Sequence, residues 1–284
     1  MRTRPPPGSP QPAPATAPAP AAGDAPRVLA ASSLGGALPG LVHGFTAAFG
    51  RLDDAGLRAD LGRRLGLAAA GAPAVVLLAQ PHGAEIADLD GGGWGGAEAP
   101  LAGVDGATAG GGAARLLVVK AADCVPVLAV DAARGRYAAL HAGWRGAAAG
   151  ILPNLLRLWG AEGAAPEGVR LALGPHIRDC CFAVQADCLE RFQPRHLAGA
   201  VRDRDGATFL ALEAVLRAQA AEFGIGPERI EALPDCTACA RDAAGRHPFA
   251  SHRRDHRAGR PVGRNLSFIG IRSAAMPQPH GANP

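Results

Sequence analysis

The chain has 284 residues, 48% of them hydrophobic and 19% charged, which is the balance of a soluble globular protein long enough for one large domain or two small ones. Its net charge of +4 comes from scattered arginines with no long basic stripe and no interleaved aromatics, which argues against nucleic acid as a partner. No apolar stretch approaches a membrane span, and no secretory signal precedes the six unevenly placed cysteines, so a reducing cytoplasm is expected rather than a disulfide framework or a membrane.

Residues 1–26 form a Pro/Ala-rich tail, expected to be disordered because proline removes backbone donors and favours extended chain. One folded domain is expected over 27–273, followed by a loose tail over 274–284. Val42 to Phe45 suits a short strand. Leu52, Leu57, Leu61 and Leu65 recur near helical spacing and predict a helix over 52–67. The run Ala74 to Gln80 reads as a buried strand that ends at Pro81-His82-Gly83. Residues 90–114 are Gly-rich and read as loop, with Val104-Asp105-Gly106 as a fixed turn inside it.

Arg115 to Gly146 is the centre of the chain: strand, bend, strand, turn, strand, bend, helix. The apolar runs Val125 to Val130 and Tyr137 to Leu140 flank the turn composition Asp131-Ala132-Ala133-Arg134-Gly135. Ala147 to Trp159 reads as a helix, and Pro153 within it requires either a late start or a kink. Val169 to Leu173 is a strand that runs into Gly174-Pro175-His176-Ile177. Thr208 to Phe223 reads as a helix with Leu212, Val215, Leu216 and Phe223 on one face. Ile230 to Leu233 is a strand before Asp235-Cys236-Thr237. Ser251 to Arg264 reads as a basic loop and Asn265 to Ile271 as a closing strand. Strands and helices intermix, so the class is α/β or α+β with a mixed sheet.

The hairpin concentrates the chemistry. It can carry the residue before its first strand, Cys124, and the residue after its second, His141, to one end of the sheet. His82 likewise lies where an apolar strand meets a Gly-containing bend. Two imidazoles and one thiolate make a zinc donor set with a free fourth position, the catalytic arrangement. The plainer reading is one buried cysteine and two unrelated histidines, since the separations of 42 and 17 residues match no short metal motif.

Further elements occur in a known order: Gln80-Pro81-His82-Gly83, Ala122-Asp123-Cys124-Val125-Pro126-Val127-Leu128, His141-Ala142-Gly143-Trp144-Arg145-Gly146, Gly174-Pro175-His176-Ile177 with Cys181, Cys236-Thr237, Ser251-His252-Arg253-Arg254-Asp255 and Gly259-Arg260. Over Leu41 to Ile271 this resembles the polyphenol oxidase or laccase-domain family, now described as purine nucleoside phosphorylases. The resemblance implies a fold akin to toxin domains that use a Cys/His pair, and a zinc site on His82, Cys124 and His141. It also implies phosphorolysis of adenosine, inosine, guanosine and methylthioadenosine, with adenosine deamination beside it. The implied partners are purine nucleosides and phosphate, and a monomer is expected.

Three positions depart from the family pattern. Pro81 replaces the usual Val, Ala47 stands where an arginine is usual, and His252 replaces an aromatic residue. If that arginine holds phosphate, its absence weakens phosphorolysis relative to deamination. Arg145, Arg253, Arg254 and Arg260 are phosphate candidates, because guanidinium matches phosphate oxygens bidentately; a solvated basic loop is the plainer reading of each. Asp123 is a candidate hydrogen-bonding or proton-relay group, or else a cap for the bend. Cys181 is a candidate pocket-lining residue. Cys236-Thr237-Ala238-Cys239 has CxxC spacing, but a zinc ribbon needs a second pair and none is present, and Cys180-Cys181 reads as wall or core. Multicopper chemistry needs His-x-His pairs, and the nine histidines form none, although copper can occupy a three-ligand site adventitiously. Three rivals to the zinc enzyme remain: a hydrolase with Cys124 as nucleophile and His141 as base, a copper-dependent phenol oxidoreductase, and a non-enzymatic protein with a structural metal.

Overall fold

The computed structural model of the chain describes residues 28–49, 54–65, 73–91, 99–110 and 114–272. The tails read at 1–26 and 274–284, and part of the Gly-rich stretch, lie outside them. The first half runs β1 (Val28–Leu29), β2 (Leu41–Phe49), α1 (Asp54–Arg64), β3 (Ala74–Leu77), β4 (Ile86–Asp88), β5 (Gly106–Ala109), β6 (Arg115–Ala121), β7 (Val125–Asp131) and β8 (Arg136–Ala142). Then follow α2 (Trp144–Ala148), α3 (Ile151–Ala161), β9 (Val169–Leu173), β10 (Ala183–Val184), α4 (Ala186–Leu189), α5 (Pro194–Leu197), β11 (Val201–Arg204) and β12 (Ala207–Leu210). The last elements are α6 (Leu212–Ala221), β13 (Ile230–Ala232), α7 (His252–Arg257) and β14 (Arg264–Ile271).

The strands form a five-stranded sheet in the order β1-β2-β14-β6-β3, a six-stranded sheet in the order β13-β9-β7-β8-β5-β4, and a small sheet β10-β12-β11. Both large sheets are mixed. β3 runs parallel to β6 while β14 is antiparallel to β2 and β6. β4–β5 and β13–β9 are parallel, whereas β7 is antiparallel to β8 and β9. The mixed α/β class read from the sequence is the class observed.

Period-2 alternation assigns the strand side chains to layers. Val125, Val127 and Ala129 of β7, with Ala138 and Leu140 of β8, face Ile151 and Leu155 of α3 and Val215 of α6 in one core cluster. Their neighbours Leu128, Val130, Tyr137 and Ala139 face Val76, Leu117, Val119 and Ile269 of the other sheet. The far side of the five-stranded sheet packs Leu116, Val118 and Phe268 on Leu57 and Leu61 of α1. Helix, sheet, sheet and helices are therefore stacked in that order. The hairpin strands lie between two apolar layers, which is why they read as continuous apolar runs. Among the described residues no helix is long and apolar enough to cross a membrane.

Four local readings change. Within the stretch read as loop, Gly106-Ala107-Thr108-Ala109 forms the fully buried strand β5 beside β8; its side chains are too small to announce a strand. The helix read from Thr208 starts at Leu212, because Ala207–Leu210 pairs with β10 and β11. Asp205 and Gly206 take φ of 52° and 72° between β11 and β12, the two-residue hairpin that Asp-Gly favours. The loop read at 251–264 contains α7, whose Ser251 hydroxyl accepts the Arg254 N–H as an N-cap. The helix read at Ala147 to Trp159 is divided at Gly150 (φ 85°), and α3 starts late. Pro153 then lies in the first turn, where a helix has no use for its N–H; the backbone bond nearest that start is Asn154 N–H to Gly150 C=O.

Candidate active site

His82, Cys124 and His141 stand at three bends that the two large sheets bring together. Cys124 lies between β6 and β7, and His141 near the end of β8, paired across the ladder with Pro126. His82 follows β3. Their ligand atoms all lie within 4.8 Å of one another. The two imidazole rings meet edge to face, with centroids 4.9 Å apart.

The bend at His82 is held from several sides. The Gln80 side-chain amide donates to the Lys120 carbonyl at 2.6 Å and accepts the Lys120 N–H at 2.9 Å, extending the β3–β6 pairing by a side chain. Gln80 and His82 both take positive φ, 60° and 68°. Such backbone persists in non-glycine residues only where the surroundings over-determine it. Here the His82 and Gly83 N–H groups donate to the two Asp105 carboxylate oxygens at 3.0 and 2.6 Å, and Asn154 donates to the Ala84 carbonyl at 3.0 Å. The backbone bonds fall at residues 80, 82 and 83, so Pro81 takes the one place in the bend where those bonds need no donor.

Asp105 does more. Fully buried, it also accepts from His141 Nδ1 at 2.8 Å. That contact turns Nε2 towards Cys124 and His82, in the carboxylate–histidine pattern that supports metal ligands. Sequence reading located Asp105 as a fixed turn and missed this role. Burial alone would lower the His141 pKa, but the Asp105 carboxylate and the Cys124 sulfur raise it to about 9. Burial alone would raise the Cys124 thiol; the two imidazoles overcome it and bring it down to about 7.

The glycines after His141 are required by close approach. A Cβ on Gly143 would meet Cys124 Sγ at 3.0 Å and His82 Cδ2 at 3.2 Å, and one on Gly146 would meet the Gly83 carbonyl oxygen at 2.6 Å. The donor set and this cradle fit one zinc ion with three protein ligands and an open side, where His82 is exposed. Among the described residues the other close group of potential ligands is four cysteines, with no imidazole-rich cluster of the kind a trinuclear copper centre needs.

The three residues line a cavity of about 820 Å³. Its wall includes Trp144, Phe182 and His252 as ring surfaces and Lys120, Arg145, Arg253 and Arg264 as cations. Lys120 is paired with Asp54 at 2.8 Å. The Arg145 guanidinium lies 4.3 Å over the Trp144 ring and forms no ion pair among the described residues. The Arg253 guanidinium lies 5.6 Å from the Phe182 ring and donates to the Ala183 carbonyl at 2.9 Å.

Other candidates fall elsewhere. Arg254 donates to Asp255 through two nitrogens, and to the Thr237 and Phe249 carbonyls. Arg260 pairs with Asp255 at 2.8 Å. Neither lines the cavity, and nor do Ala47 or Cys181, which sits with Cys180, Cys236 and Cys239. Asp123 borders the cavity with both oxygens engaged: Oδ1 accepts from the Thr237 hydroxyl at 2.7 Å and Oδ2 from the Arg253 N–H at 2.6 Å. With φ of 87° it caps its bend and anchors the first turn of α7. Lys120 and Arg264 are cavity residues that no motif singled out.

A family model described as "Multi-copper polyphenol oxidoreductase laccase" matches residues 34–272. The chain is 35% identical over 162 residues to a protein of Geobacillus stearothermophilus named purine nucleoside phosphorylase YlmD, covering 55% of this chain and 56% of that one. It is 33% identical over 125 residues to adenosine deaminase RL5 from an unknown prokaryotic organism, covering 43% and 48%. The matched sequence thus spans about half the length of these relatives. The crystal structure of the Bacillus licheniformis hypothetical protein YfiH superimposes with a TM-score of 0.73 at 27% identity, over 88% of this chain and 98% of that one.

Proposed function

The chain belongs to the multi-copper polyphenol oxidoreductase laccase family, and on that premise we propose that it is a zinc-dependent purine nucleoside phosphorylase. Its substrates in this reading are adenosine, inosine, guanosine and methylthioadenosine, with deamination of adenosine as a side activity, in the cytoplasm. The observation that carries the reading is the three-ligand set His82, Cys124 and His141 opening on a cavity walled by guanidinium groups and rings. The relatives' names, a phosphorylase and an adenosine deaminase, support the same chemistry.

In phosphorolysis a phosphate oxygen bonds to the ribose anomeric carbon as the glycosidic bond breaks, and the bonding pair leaves with the purine, which takes up a proton. Arg145 and Arg253 bind the phosphate, taking the place of the arginine that Ala47 replaces. Trp144 and Phe182 hold the purine by stacking. Asp105 keeps His141 and His82 in place, and Asp123 positions Arg253 through its backbone. Zinc, when bound by His82, Cys124 and His141, supplies Lewis acidity to the departing base or to a water in deamination.

A second reading is a cysteine hydrolase with Cys124 as nucleophile and His141 as base. The proximity of the Cys124 sulfur to the His141 ring, within 4.8 Å, favours it, and the thiol, brought down to about 7 by the imidazoles, is partly thiolate at neutral pH. His82 separates the two readings, being a ligand in one and dispensable in the other. His82→Ala is expected to abolish zinc retention and nucleoside turnover together. Turnover that survives in a zinc-free preparation would overturn the metal reading.

A further inference from the structure

β9 and β13 run parallel as neighbours, so the loops at their C-terminal ends emerge side by side. The pairing continues past both strands through a bridge between His176 and Cys236, and the Thr237 N–H donates to the His176 carbonyl at 3.0 Å. The first loop carries Cys180 and Cys181 on a tight turn, in which the Cys181 and Phe182 N–H groups both donate to the Arg178 carbonyl at 2.8 Å. The second carries Cys236 and Cys239 on a turn closed by the Ala240 N–H on the Cys236 carbonyl at 2.9 Å. The sequence therefore hides the second pair that a CxxC metal site needs. It lies 55 residues or more away and has a different spacing.

All four sulfurs lie within 4.8 Å of one another, and Cys180 Sγ and Cys239 Sγ are 3.7 Å apart. Four thiolates on a tetrahedral zinc at about 2.3 Å stand about 3.8 Å from each other. The Arg178 N–H points at Cys236 Sγ from 3.5 Å, a contact that favours the thiolate a metal requires. Two disulfides would need the sulfurs only in separate pairs; here all four are mutually close, and all six cysteines of the chain are free thiols.

We propose that Cys180, Cys181, Cys236 and Cys239 form a second zinc site, distinct from the one at His82, Cys124 and His141. With four protein ligands it is closed, and so structural rather than catalytic. It ties the loop after β9 to the loop after β13. That second loop reaches the active site, since the Thr237 hydroxyl donates to Asp123, the neighbour of Cys124, and Arg254 of α7 donates to the Thr237 and Ala238 carbonyls.

The test is metal content by mass spectrometry on the full-length protein and on a Cys180→Ser/Cys239→Ser variant, both loaded with zinc and freed of excess. The wild type is expected to hold one zinc more per chain than the variant, whatever the His82 site retains. Equal content in the two folded proteins, or disulfides linking these cysteines in the freshly purified wild type, would overturn the proposal. Should the variant not fold, cobalt titration of the wild type decides. An equivalent with all-sulfur tetrahedral absorption supports the site, and a single equivalent with mixed nitrogen and sulfur coordination overturns it.

Discussion

Asp105 organises the candidate site without entering the cavity. One buried carboxylate accepts two backbone N–H groups of the His82 bend and orients the His141 ring, joining residues 23 positions before it and 36 after. That role was illegible in the sequence because Val104-Asp105-Gly106 is an ordinary turn composition and its partners are fixed only by the packing of β5 against β8. Cys124 and His141 were legible, since a hairpin delivers its ends together whatever packs around it. Asp105→Ala frees the bend and the ring at once, and support of this kind is worth about 10–100-fold in metal affinity. Competition titration with a chromogenic chelator is expected to show a loss in that range; unchanged affinity would mean the ligands are held by other contacts.

At the level of elements, α7 shows why a basic segment misleads. His252-Arg253-Arg254-Asp255-His256-Arg257 has no apolar face to announce a helix, and its order comes from its ends and one buried acid. Ser251 caps it, Asp123 accepts its second N–H, and Asp255 collects Arg254, Arg260 and the Ser251 N–H. Burial alone would raise the Asp255 carboxyl, but these donors hold it below the usual carboxylate range. A depressed folded-state pKa stabilises the fold in full above the unfolded value and loses that contribution as pH falls through the folded value. Asp255→Asn is therefore expected to lower Tm at neutral pH, with the gap from wild type closing as pH falls below the usual carboxylate range and through the depressed folded-state value. A gap independent of pH would show that the carboxylate charge contributes nothing. The β11–β12 hairpin went unread although Asp205-Gly206 is a turn composition, because the helix reading was carried back to Thr208, over residues that pair as β12.

The whole molecule places the hairpin between two apolar layers, and that sandwich is what holds Cys124 and His141 at one edge. Apolar runs showed the strands, but spacing could not tell which alternate residues face the helices and which the opposite sheet. Leu128 faces the other sheet, fully buried among Val76, Leu117 and Ala139. Leu128→Ala is expected to cost about 2–5 kcal/mol in urea unfolding, the usual range for a buried leucine; a loss well under that range would contradict the packed interface between the sheets. The four-cysteine cluster belongs to this scale too, because parallel neighbouring of β9 and β13 brings its halves together.

The central claim is phosphorolysis at the His82, Cys124 and His141 site. Purified protein of known zinc content, incubated with adenosine with and without phosphate and resolved by chromatography, tests it most directly. Adenine that appears only when phosphate is present is the outcome expected, and it would show that the cavity arginines serve despite Ala47. Zinc-loaded protein that releases no adenine with phosphate, whether it forms inosine in both reactions or no product at all, would contradict the claim.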